Sequence, residues 1–121
     1  MGYQAVRGDF LKIGMEEKPT VISMMDVYEH MPWPRKALDK VRDMLAPSGG
    51  LVISLLNMNS SSWRLMDQAK ANPYWMEIEH HHNFSRPRLT ALPADHGLEV
   101  AMFDIPFRYK AQMGIYAKPI G

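Results

Sequence analysis

The chain has 121 residues, 46% hydrophobic and 22% charged, which is the balance of an ordinary globular protein long enough for one modest core. Fourteen basic against thirteen acidic residues leave a net charge of +1, which supplies no polybasic surface, so bulk binding of nucleic acid is not indicated. There is no cysteine, hence no disulfide framework or thiolate chemistry, and no apolar run approaches the roughly 20 residues that span a bilayer. The first residues, MGYQAVR, carry no apolar stretch behind a basic one, so a cytoplasmic protein without membrane partners is expected.

Residues 3–10 are β-prone and end on the turn pair Gly8-Asp9, which predicts a short strand with Asp9 at its tip. Residues 20–25, TVISMM, form a near-continuous apolar run, as expected of a strand buried on both faces of a parallel sheet. Pro32-Trp-Pro34 predicts a turn and a helix start. Over residues 35–45, Leu38, Val41 and Leu45 recur at helical spacing. Pro47-Ser-Gly-Gly50 ends that helix by C-terminal turn chemistry, and residues 51–56 read as a second buried strand. Strand, helix and strand within about forty residues predict a parallel βαβ unit.

A polar loop then leads into a serine-capped helix at 63–71, broken by Asn72-Pro73. Ser85 is a candidate cap for a helix at 86–96, with Leu89 and Leu92 inward, Gly97 at its end and Pro93 interrupting it. Residues 98–104 and 112–118 read as two strands, an antiparallel hairpin at the sheet edge.

The ordered pattern DVYEHMP at 26–32, then Ala37-Leu38, then LAPSGGLVIS at 45–54 and Asn57, resembles the fourth strand, following helix and fifth strand of class I S-adenosylmethionine-dependent methyltransferases. It is most similar to the small-molecule branch that includes ubiquinone O-methyltransferases. Upstream, Gly8-Asp9-Phe10 resembles the acidic tip of the third strand. Downstream, Glu79-His80 through Phe84-Ser85, then Leu89, Leu92 and Gly97-Leu98, resembles the approach to the closing strands. Ser48 stands where glycine is common and Leu56 where proline is common. The resemblance implies an α/β chain with a partial Rossmann-like class I methyltransferase fold: a parallel βαβ unit and an antiparallel C-terminal strand. It implies that residues 1–121 are the C-terminal portion of such a domain, since neither the glycine-rich strand end nor the second acidic strand tip has a counterpart.

The same resemblance assigns roles. Asp9 and Phe10 would lie on the cofactor side, Asp9 accepting from the adenine amino group, and Met25 would lend its backbone to the amino end of S-adenosylmethionine. Asp26, Glu29 and His30 leave a strand together at its carboxyl end, where open α/β sheets bind ligands. In the ubiquinone O-methyltransferase pattern the matching positions are associated with a divalent cation, with Asp26 here replacing a glutamate. Carboxylate with imidazole suits Mg²⁺, Mn²⁺ or Zn²⁺. The plain alternative has Glu29 capping a helix and His30 packing beneath the sheet.

His80-His81-His82 is not one site, because successive side chains point in different directions, but His81 or His82 is a candidate further ligand or base. His30 and His81 are thus the candidate catalytic residues. Trp63, Tyr74 and Trp75 fall where such folds lid the acceptor pocket. The expected function is methyl transfer to a small-molecule acceptor, weak or absent in the chain alone; the rivals are a non-catalytic interaction module and a small metal-binding protein. The unpaired strand edges imply a homodimer, or pairing with the N-terminal half of the domain.

Overall fold

A computed structural model describes residues 2–77 and 80–121. Strand β1 (Val21–Met25) leads through a 3-10 turn (Tyr28–His30) into helix α1 (Pro34–Met44) and strand β2 (Gly50–Leu56). Helix α2 (Ser61–Gln68), a second 3-10 turn (Pro73–Trp75), helix α3 (Arg86–Ala94) and strands β3 (Leu98–Asp104) and β4 (Gln112–Pro119) complete the described elements.

The four strands form one sheet in the order β1-β2-β4-β3. β1 and β2 are parallel, Val21 opposite Gly50 and Met25 opposite Ser54, as the βαβ reading expects. β4 pairs antiparallel with β2, placing Ile53 opposite Ile115, and β3 closes the outer edge against β4. The C-terminal strands are therefore antiparallel neighbours, but the later of the two is inserted into the sheet. Its inward residues Met113, Ile115 and Ala117 explain the choice, since all are buried, whereas β3 is mostly exposed.

Leu51, Ile53 and Leu55 of β2 join those β4 residues, Leu38 and Val41 of α1, and Leu89 and Leu92 of α3 in a single buried cluster. Both helices thus cover one face of the sheet, and the opposite face is open. This corrects the expectation of a strand buried on both faces: in β1 only Met24 is buried, while Val21 is 61% and Met25 58% exposed. A uniformly apolar run does not say whether a second layer is present.

Residues 3–10 form no strand, a second correction. Tyr3 is fully exposed and Val6 nearly so, and no described strand lies beside them to satisfy an extended backbone. The segment is fastened at its far end, where Lys12 N and Ile13 N donate to Asp9 O, Lys40 Nζ donates to Ile13 O, and Phe10 and Leu11 pack against the core.

The helix termini follow local chemistry. Ser60 Oγ accepts from Trp63 N and Ser85 Oγ from Arg88 N, capping α2 and α3. Pro93 stands in the last turn of α3, and the helix ends one residue after it, as expected where a proline removes the backbone donor. Gly49 and Gly50 are not helix-ending glycines. α1 ends at Met44; a Cβ on Gly49 would meet Thr20 O at 2.9 Å, and one on Gly50 would run into the Tyr116 ring, which lies across it on the open face.

Candidate functional site

The site grows from the carboxyl end of β1. Asp26 adopts φ 55°, a left-handed conformation that aspartate tolerates better than most residues, and so turns the chain sharply out of the sheet. Its N–H donates to Ser54 O at 2.9 Å and its Oδ1 accepts from Gln112 Nε2 at 3.3 Å. The following 3-10 turn, closed by His30 N to Val27 O and Met31 N to Tyr28 O, drives Tyr28 and Glu29 inward.

Tyr28 is 1% exposed, stacks on Phe84 with ring centroids 5.2 Å apart, and donates its hydroxyl proton to Pro34 O at 3.0 Å. Burial raises its pKa well above that of a free phenol, so it stays neutral. Glu29 is 3% exposed. Its Oε1 lies 3.6 Å from His30 Nε2, and its Oε2 has no hydrogen-bond partner among the described residues. Burial, and to a lesser extent the Asp26 carboxylate, push the Glu29 pKa up, against a backbone hydrogen bond and the nearby His30 and His80, which pull it down.

Residues 80–83 lie against this turn, with His82 N donating to Glu29 O at 3.1 Å. His80 meets His30 edge to face at 4.7 Å and stacks on Tyr74 at 5.6 Å, and Tyr74 stacks on Trp63 at 5.7 Å. Trp75 packs edge-on against Trp63 and donates its indole N–H to Asp67 Oδ1 at 2.7 Å. An aromatic row thus runs from α2 to the buried carboxylate, beside an open recess of about 570 Å³ lined by Tyr74, Trp75, His80 to Asn83, and Arg88.

Each expected site residue now has a place. Glu29 and His30 are together, and the third member of their group is His80: one ligand atom from each lies within 4.8 Å of the others. Asp26 is not in that group. His81 is exposed and lines the recess, while His82 Nε2 lies 3.5 Å from Pro32 O. Asp9 and Phe10 line a separate recess of about 140 Å³ with Leu11, Met31, Pro32 and Trp33. There Asp9 Oδ1 accepts from Leu11 N at 3.0 Å. Met25 is elsewhere, on the open face with Val52, Ser54 and Tyr116. Glu79, part of the downstream resemblance, lies outside the described residues.

The sequence reading missed His80 as the partner of Glu29 and His30, and missed Asn83. Spacing alone could not select among three consecutive histidines. The selection is made by Asn83, whose Nδ2 donates to Tyr74 O at 3.4 Å while its Oδ1 faces His80 Nδ1 at 3.5 Å.

A family model described as a methyltransferase domain matches residues 6–102, and the chain belongs to that family. Its architecture is that of a partial class I methyltransferase fold. It is similar to the mitomycin 7-O-methyltransferase MmcR, with a TM-score of 0.71 and 14% identity over 93% of this chain and 32% of that one. A possible histamine N-methyltransferase from Thermotoga maritima gives 0.71 at 15% identity, covering 94% of this chain and 63% of the other. Magnesium protoporphyrin IX methyltransferase from Synechocystis with bound SAH gives 0.64 at 11% identity, covering 91% and 48%. The chain therefore spans between about a third and two thirds of these structures. No curated protein matches it in sequence. No helix among the described residues is long and apolar enough to cross a membrane.

Proposed function

We propose that this chain carries the acceptor side and part of the cofactor side of an S-adenosylmethionine-dependent methyltransferase acting on a small molecule. The observation that carries the reading is the family match over residues 6–102, which contains the carboxyl end of β1 where α/β sheets bind ligands. The SAH held by the Synechocystis neighbour supports the choice of cofactor. When bound, S-adenosylmethionine supplies a sulfonium methyl group for in-line attack.

The chain's own residues fit one part of that cofactor. The recess beside Asp9 and Phe10 is apolar, has a carboxylate at its rim and is the size of a planar ring system, which suits adenine. Met25, at the tip of β1, offers backbone to the amino end. The acceptor lies in the larger recess beside Tyr74 and Trp75. His81, exposed there, and His30, one ring further in, are the candidate proton acceptors. Much of the catalysis in such a reaction comes from alignment, so neither base has to be indispensable. Affinity in the isolated chain is low, because no glycine-rich strand end stands beside β1 among the described residues to allow close backbone approach. Titration with SAH tests this: weak binding lost in Asp9→Ala supports it, and tight binding indifferent to Asp9→Ala contradicts it.

A second reading, an interaction module, is favoured by the exposed β1 edge. In both readings β1 pairs with a second copy of the chain or with the N-terminal half of such a domain.

A further inference from the structure

We propose that Glu29, His30 and His80 form a binding site for Zn²⁺, in place of the oxygen-rich Mg²⁺ site that Asp26, Glu29 and His30 would make. The geometry is close to that of a zinc ligand shell. Ligands about 2.1 Å from a tetrahedral ion stand roughly 3.4 Å from one another. Glu29 Oε1 and His30 Nε2 are already 3.6 Å apart, and the whole set lies within 4.8 Å, so small side-chain rotations close it. The set also draws on two segments, which the His82 N to Glu29 O hydrogen bond holds together without an ion.

The second observation is the carboxylate itself. Glu29 is 3% exposed, and its Oε2 has no hydrogen-bond partner among the described residues. Buried carboxylate oxygens are ordinarily satisfied, and a cation shared with the two imidazoles would satisfy this one.

The third is the setting of His80. Asn83 Nδ2 donates to Tyr74 O at 3.4 Å, which turns its amide oxygen toward His80 Nδ1 at 3.5 Å. A histidine held through Nδ1 in this way offers Nε2 to an ion, which is how metal-binding histidines are commonly held. Two imidazoles and one carboxylate favour zinc-like ions over Mg²⁺ and leave a fourth position for water or an acceptor hydroxyl, which the ion would acidify; with the ion bound, His30 is a ligand and His81 is the candidate proton acceptor that remains. Asp26 is outside the set, its Oδ1 accepting instead from Gln112 Nε2.

The test is independent of methyl transfer. The untagged full chain is titrated with ZnCl₂ and, separately, MgCl₂, reading heat and melting temperature. The expected result is one Zn²⁺ per chain, a rise in melting temperature, and no response to Mg²⁺. His80→Ala and Glu29→Gln should each weaken Zn²⁺ by about tenfold or more, whereas Asp26→Asn and His81→Ala should not. His80 is only half buried, so His80→Ala carries the test on its own, and circular dichroism checks that both variants are folded. No zinc binding, zinc binding undiminished in His80→Ala, or a Mg²⁺ response abolished by Asp26→Asn would each overturn the proposal.

Discussion

Asp26 Oδ1 accepts from Gln112 Nε2 at 3.3 Å, so the carboxylate that ends β1 is tied to the first residue of β4, across the intervening strand β2. The same Asp26 has φ 55°. The bend it makes starts the turn that buries Glu29, and its own carboxylate is left on the β4 side.

The first prediction concerns that backbone. Asp26→Gly and Asp26→Asn should stay within about 0.5 kcal/mol of the parent, whereas Asp26→Val should cost about 1–2 kcal/mol, because a β-branched side chain is strained at positive φ. Urea denaturation checks it. An Asp26→Val protein as stable as the parent would show that the left-handed turn is not required.

A second prediction follows from Glu29. Its pKa is raised by burial from the ordinary 4.5, so the metal-free folded state holds this proton more tightly than the unfolded chain does. Its contribution is full below the ordinary value and declines as pH rises through the raised one, so metal-free stability falls over that window. Glu29→Gln should remove the decline and match or exceed the parent at pH 8, by an amount of order 1 kcal/mol. Melting temperatures against pH read this directly, and an unchanged slope in Glu29→Gln would rule it out.

Gly50 supports a third. Because Tyr116 lies where a Cβ would go, Gly50→Ala should destabilise by about 1–3 kcal/mol, the range of an overpacked site. Adding Tyr116→Ala should recover part of that loss, giving a favourable coupling in the double-mutant cycle. Strict additivity would mean that the ring is not the obstacle.

The βαβ unit was legible because its signals are local: apolar runs for β1 and β2, helical spacing of Leu38 and Val41, and proline at the helix start. Partnership was not. Residues 3–10 have strand composition without a neighbour, and β1 has the composition of a core strand while standing at an edge with one face open. Insertion of β4 between β2 and β3 depends on long-range pairing that no window of sequence contains. In the site, Glu29-His30 was legible from the pattern after a strand, whereas the choice of His80 rests on an amide placed by a fold-back onto Tyr74.

The β1 edge yields a fourth prediction. Val21 is 61% exposed beside a row of backbone groups with no described strand partner, so the chain should self-associate in sedimentation. Val21→Lys should shift it toward monomer, since charge on an edge strand opposes pairing. A parent chain that is monomeric at high concentration would argue against edge pairing between copies.

The cofactor assignment is tested most directly by adding millimolar SAH to the isotope-labelled chain and following backbone amide shifts. Selective, saturating shifts at Asp9, Phe10 and Met25, diminished in Asp9→Ala, are the expected result. Shifts absent throughout, or confined to residues remote from both recesses and from the tip of β1, would contradict the placement of the cofactor on this chain.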